Sequence, residues 1–333
     1  MGRAGAMEVT WLMETTTGGQ YEQEQQQQQP YYELYTTAQF VTGLILYPII
    51  CLFGLTGNAL IIVVLVHKVA LSSTDVLIAA LAISDAVKLI NDLLYSATCA
   101  TMQVNPSAGQ SMYAYLYPYA HFVVNAALCV SAWLVVALAV ERYLLVCWPT
   151  RTRNLTSAAR SRAVAAAVIV VMTSIAVPSA LRYRTVRVDD GNASWHMDVE
   201  LTQLWRVDAF VVSYNWTQSL LRSIIPLVIL VFTGIAIVAA LRRRPSLRVD
   251  DRKVAVRRRN RKSAVRRRIA VMLVIVVLAF VVCVIPDAVM SALYLGYTES
   301  DSYLVKAIRD GYSDARTWSV CLGLLGLLGR VCV

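Results

Sequence analysis

The sequence is divided into long apolar blocks, and no other feature limits the possible fold so tightly. Val41–Val66 runs 26 residues without a charge, and Asp75–Ala100 is apolar apart from Asp75, Asp85, Lys88 and Asp92. Tyr117–Val140, Ala163–Leu181, Ser223–Leu241 and Ile269–Pro286 carry no Asp, Glu, Lys or Arg. Each is close to the roughly 20 residues that cross the hydrocarbon core of a bilayer. In that medium every backbone N–H and C=O needs a partner within the protein, so the blocks are expected to be helices. Six clear spans follow. Trp318–Val333, in which only Arg330 is charged, is a short and atypical candidate for a seventh. The expected fold class is an all-α membrane protein, a seven-transmembrane-helix bundle.

Composition agrees. Of the 333 residues, 57% are hydrophobic and 16% charged, where a soluble domain has roughly 25% charged residues. The net charge of +10 looks at first like a nucleic-acid signal. Its distribution says otherwise. Fourteen Lys/Arg and two acids fall between Arg242 and Arg268, so that one stretch carries more than the whole excess and the rest of the chain is slightly acidic. No folded basic surface is left for a nucleic acid to use. The seven cysteines include no CxxC pair, and no histidine stands at metal-ligand spacing. No metal site, Walker loop, GxSxG or HExxH is present, and the three scattered histidines make no catalytic cluster, so an enzyme is not expected.

Residues 1–39 are polar and acidic and contain the run Gln25–Gln29. They are expected to form a disordered tail, with the bundle occupying 40–333. Arginine and lysine concentrate in one set of connections: His67-Lys68, Arg151 to Arg162, and the basic loop 242–268. That set is expected on the cytoplasmic side. The N-terminus, residues 101–116 and the loop 182–216 are then extracellular, in a multi-pass protein of the plasma membrane. Within 182–216, Thr185–Val188 alternates, Asp189–Asn192 reads as a turn and Trp195–Leu201 alternates again, a hairpin pattern. Asn192-Ala193-Ser194 on that face is an N-glycosylation acceptor.

The charges inside spans are the best functional markers, because such groups are costly in lipid unless they are paired or face a watery interior. Lys88 and Asp92 stand four apart on one helix face and can pair. With Asp85 they form a polar stripe. Arg222 and Asp287 fall at comparable outer positions of the fifth and sixth blocks. Together they suggest a polar outer cavity, read as a ligand pocket whose candidate residues are Lys88, Asp92, His121, Asn125, Arg222 and Asp287. A structural ion-pair network with no ligand contact is the alternative.

Several short motifs stand in order on consecutive blocks. They are Gly57-Asn58, Leu81-Ala82-Ile83-Ser84-Asp85, Glu141-Arg142-Tyr143 with Pro149 seven residues past the arginine, Pro178, Pro226, and Phe280-Val281-Val282-Cys283-Val284-Ile285-Pro286. In this the chain resembles the rhodopsin-like (class A) G-protein-coupled receptors, from residue 41 to about 315. The resemblance implies that Asn58, Asp85 and Ser131 form an allosteric sodium site, with no other cofactor. It implies that Glu141, Arg142, Tyr143 and Pro286 serve activation and coupling to a heterotrimeric G protein. The basic loop would face that G protein and anionic membrane lipid, where each Lys or Arg gains roughly 1 kcal/mol. Val124 occupies the position of the aminergic aspartate, and the seventh candidate span has no retinal-type lysine. The charged outer pocket, the hairpin and the acidic tail suit a peptide. The tract Ser302–Asp314 and the Tyr113–Tyr119 run resemble FMRFamide-like neuropeptide receptors.

The chain also departs from the family pattern. Tyr117 stands where the outer disulfide would begin, and 182–216 has no cysteine. Val284 replaces the packing tryptophan of the sixth span, Gly234 replaces a tyrosine of the fifth, and no NPxxY follows Ala315. A truncated, non-signalling receptor copy is therefore one alternative. A membrane transporter or channel is another, although no half-to-half repeat is visible.

Overall fold

The computed structural model of the chain describes residues 41–148, 157–189 and 195–243. The N-terminal tail, Asn192, nearly all of the basic loop, and the sixth and seventh spans with Pro286 and Asp287 lie outside the described residues. A π-helical segment, Val41–Leu46, leads into α1 (Tyr47–Val66). There follow α2 (Ser73–Val104), α3 (Pro106–Cys147) and α4 (Ala158–Ala180). An antiparallel hairpin of β1 (Tyr183–Asp189) and β2 (Trp195–Leu201) comes next, then a 3₁₀ turn, Gln203–Arg206. Finally α5 (Asp208–Ser219) continues through a π-helical turn, Leu220–Ile224, into α6 (Ile225–Arg243), so that the three make one fifth rod. Four stretches are long and apolar enough to cross a membrane: Gly43–Val66, Pro106–Cys147, Ala158–Ala180 and Ala209–Ala240. α2 has the length as well, but carries Asp85, Lys88 and Asp92.

Side chains at the helix starts explain where the rods begin. Ser72 caps α2 in a reciprocal capping box with Asp75, whose Oδ2 also pairs with Lys68 Nζ at 2.5 Å. Ser157 caps α4 by accepting from the Arg160 N–H. Asn105 alone joins α2 to α3. Its N–H closes α2 on the Thr101 carbonyl at 2.8 Å, and its side chain opens α3 by accepting from the Ala108 N–H at 3.2 Å. Pro106 has no N–H and fits the first helical position, where none is needed. Gly109 permits the tight reversal, since a Cβ there would lie 2.5 Å from the Met102 Cα.

The outer ends of the rods differ from the reading of the sequence. Residues 101–116 were expected as a loop, and all but Asn105 are helical. The fifth rod begins at Asp208, well ahead of Ser223. The cause is the same in both places. Polar residues in these stretches meet their own hydrogen-bonding needs on the helix: the Thr101, Ser111, Ser213 and Thr217 hydroxyls each donate to the carbonyl four residues back. Polarity therefore lowers the hydropathy without ending the helix. At about 1.5 Å per residue, the 42 residues of α3 span about 63 Å, far more than the ~30 Å hydrocarbon core. Its first turns stand clear of the lipid, and the hairpin packs there.

The core lies between α2, α3 and α4. Leu77, Leu81, Cys129, Val130, Leu134, Ala165 and Met172 are buried against one another. A second cluster, Ala132, Val136, Ala139 and Leu230, ties α3 to α6. At the α1–α2 contact, Leu89 fills the space that a side chain at Gly54 would need. Large apolar residues cover the outer faces: Leu52 and Phe53 on α1, Val170 and Val177 on α4, Phe232 and Ile235 on α6. In water such faces would be a liability. In lipid they are the expected surface.

Candidate functional site

Most of the described site residues gather in three places along the bundle, with Asn58, Asp85, Ser131 and Arg222 apart from them. The first is the inward stripe of α2. Lys88 Nζ and Asp92 Oδ2 are 2.6 Å apart, with 4% and 1% of their side chains exposed. The i,i+4 spacing on a continuous helix sets that geometry. Withdrawing two charges from water is repaid only by close pairing and further hydrogen bonds, so each side chain is committed to the other. As placed here, neither meets solvent, and a ligand charge would have to open the pair to reach it. One turn away, Tyr95 meets Tyr47 of α1 edge-on at 5.8 Å.

The second place is the contact of the hairpin with α3. Tyr113 and Tyr117 stack at 4.8 Å, and Tyr117 meets the β1 residue Tyr183 at 4.8 Å. His121, one turn deeper, meets Tyr183 at 5.2 Å with the rings perpendicular. Thr185 Oγ1 donates to the Ala114 carbonyl at 2.7 Å. A disulfide cannot form here, and this aromatic group with one hydrogen bond fixes the hairpin instead. Tyr117 is thus an anchoring residue, which the sequence marked as a missing cysteine and as part of the Tyr113–Tyr119 run but not as an anchor. Its partner Tyr183 carried no signal. Asn125, a turn below His121, places its Nδ2 at 3.1 Å from His121 Nε2 and 2.9 Å from the His121 carbonyl. His121 and Asn125 are half-buried, so this pair lines the outer half of α3 within reach of solvent.

Between these two places and the opposite end lies the polar centre. Ser131 Oγ donates to Asp85 Oδ1 at 2.7 Å and lies 3.0 Å from Ser84 Oγ. Asn58 is buried on α1 but makes no hydrogen bond to Asp85 or Ser131 among the described residues. The structure therefore joins two of the three sodium-site candidates and adds Ser84. The oxygen donors are hard, as a small cation needs.

The fifth rod contributes Arg222, buried within the π-helical turn. A π turn shifts the hydrogen-bond register, and here Trp133 Nε1 donates to the Leu221 carbonyl at 2.8 Å. Beside it, Cys129 Sγ donates to Gln218 Oε1, and Gln218 Nε2 reaches the Tyr214 hydroxyl at 2.6 Å. Trp133 and Gln218 therefore hold the break in the rod, a role that no local pattern indicated.

The third place is the far end of α3. Glu141 is buried, and neither carboxylate oxygen has a hydrogen-bond partner among the described residues. The neighbouring Arg142 is half-buried, and no ion pair joins the two there. Tyr143 lies against Phe232 of α6 at 6.4 Å.

Residues 57–314 match the family described as 7 transmembrane receptor (rhodopsin family). A Caenorhabditis elegans chain named "Probable G-protein coupled receptor" is 25% identical over 210 residues, covering 60% of this chain and 47% of its own length. A Branchiostoma floridae chain named "QRFP-like peptide receptor" is 29% identical over 260 residues, covering 76% of this chain and 64% of its own. The alignments thus span about half to two thirds of these relatives.

Proposed function

Because the chain belongs to the rhodopsin family of seven-transmembrane receptors, we propose that it senses an extracellular peptide and passes the signal to a heterotrimeric G protein. The family is one of receptors, not enzymes, and its chains are multi-pass membrane proteins. The N-terminus and the hairpin lie outside, and the basic loop lies in the cytoplasm of a plasma-membrane receptor. The ligand is a neuropeptide, with RFamide-type peptides the first class to test. The relative named as a QRFP-like peptide receptor supports that choice.

One observation carries the reading of the site. The hairpin is pinned by Tyr183 to Tyr117 and His121, and directly below lies the polar pair His121–Asn125. An aromatic wall over half-buried polar groups suits a peptide side chain or terminus. Arg222 of the fifth rod is a further charged candidate, and Asp287 remains one on its place in the sequence alone. The Lys88–Asp92 pair forms the closed floor of the site, opened only by a ligand charge strong enough to replace one partner. Asp85 and Ser131, with Ser84, are the residues that would hold an allosteric sodium ion. Glu141, Arg142 and Tyr143, with Pro286, are the residues that would transmit the signal.

The test is a peptide library applied to cells expressing the full chain, with a second-messenger readout. An RFamide-type peptide is expected to give a saturable response. His121→Ala and Asn125→Ala are each expected to lower its potency about tenfold, the loss of one hydrogen bond to a charged group, at unchanged surface expression. A response with undiminished potency in both variants removes this pair from the site.

A further inference from the structure

Arg182 is the first residue past the cap of α4, and it serves none of the groups described above. Its guanidinium lies between two aromatic rings, 4.9 Å from the centre of Trp205 and 5.2 Å from that of Tyr183. Trp205 is buried and fixed in turn, its Nε1 donating to the Pro178 carbonyl at 3.3 Å. The rings attract the cation but are not hydrogen-bond acceptors of the usual oxygen type. Its Nε is buried without an acceptor. Among the described residues the head makes no hydrogen bond and no ion pair. A guanidinium normally meets carboxylates or carbonyls with its five donors, and a rigidly stacked one without them is prepared for an anion from outside the chain. Its planar fork matches two oxygens of a phosphate.

The surroundings say what carries that anion. Trp205 packs edge-on to Phe210 and Tyr214, and the Tyr214 hydroxyl reaches the Ala176 carbonyl at 3.4 Å. Arg182 therefore stands at the outer end of the seam between α4 and the fifth rod. Val177 and Leu181 before it are exposed, and so are Leu204 and Val207 on either side of Trp205 and Arg206. Arg206 adds a second exposed cation. A cation with aromatic rings at the end of a span marks the headgroup level of a bilayer. A small acidic solute would satisfy Arg182 and leave these apolar side chains wet. A phospholipid brings a phosphodiester for the guanidinium and acyl chains for Val177, Leu181, Leu204 and Val207. We infer that the α4–α5 seam is a binding site for a phospholipid of the hairpin-side leaflet, with Arg182 as its phosphate ligand. Tyr183 shares its ring with Arg182 and with the Tyr117–His121 group, so an occupied site also braces the hairpin. The inference needs only the membrane bundle and not the identity of the sensed ligand.

The test is native mass spectrometry of the full chain in dodecyl maltoside micelles doped with either dioleoylphosphatidylglycerol or uncharged diolein. The wild type is expected to retain one phosphatidylglycerol in preference to diolein. Arg182→Gln is expected to weaken that retention about tenfold and to leave diolein unchanged, with Arg182→Lys between the two. Glycerophosphoglycerol and triglutamate supply anions without acyl chains, and neither is expected to displace the lipid at equal concentration. Equal retention of the two lipids by the wild type overturns the inference without any variant, even if Arg182→Gln fails to fold. Displacement by the chainless phosphate or by the peptide also overturns it, and assigns the site to that solute.

Discussion

The Lys88–Asp92 pair of α2 and Glu141 of α3 are buried in opposite ways. Lys88 is matched by Asp92, as the carbonyl of Leu221 is by Trp133 and Cys129 by Gln218. Toward the basic loop, Glu141 is buried with neither oxygen bonded among the described residues. A matched buried group resists change, because opening it exposes two unsatisfied partners. An unmatched one has nothing to lose by moving. The contrast separates a pair fixed in one geometry from an inner end where an alternative arrangement costs little. That is the division of labour a two-state receptor needs.

The largest effect that sharpens this contrast is expected at Lys88. Lys88→Met strands the Asp92 carboxylate in a dry interior and should cost about 3–5 kcal/mol, whereas Lys88→Met with Asp92→Leu should be close to neutral. Thermal inactivation of the purified chain in detergent reads both. A double variant as unstable as the single one would show that the pair has further partners and is no simple matched unit. Trp133→Phe comes next. It keeps the packing of the ring but leaves the Leu221 carbonyl without its donor, a loss of about 1–3 kcal/mol. If the π-helical turn is held some other way, the variant will melt with the wild type. Glu141→Gln should be the smallest, within about 1 kcal/mol of wild type and toward greater stability, since no bond is lost and a buried charge is removed. A fall as large as that of Lys88→Met would give Glu141 a partner and erase its contrast with the Lys88–Asp92 pair.

How much of this could be read in the residues depends on the range of the interaction. Apolar blocks mark spans because the bilayer averages over some twenty residues, and the five spans within the described residues are helical. The Lys88–Asp92 pair was legible because both partners sit on one helix, four apart. The hairpin was legible from alternation, with β1 starting two residues before Thr185, at Tyr183 opposite Leu201. What could not be read joins distant elements. Tyr117 with Tyr183, Trp133 with the Leu221 carbonyl, and Arg182 with Trp205 each cross from one element to another, and no local periodicity encodes them. The early starts of α3 and the fifth rod were hidden for a local reason. Hydroxyl side chains folded back on the helix look to hydropathy like a loop.

The central claim, that this bundle turns the binding of a peptide outside into activation of a G protein inside, is tested most directly by guanine-nucleotide exchange on purified heterotrimeric G proteins with the full chain reconstituted in lipid vesicles. Addition of an RFamide-type peptide to the hairpin side should accelerate exchange in a saturable way, and Arg142→Ala should abolish the acceleration while peptide binding persists. Saturable peptide binding with no exchange on any G-protein class would contradict it.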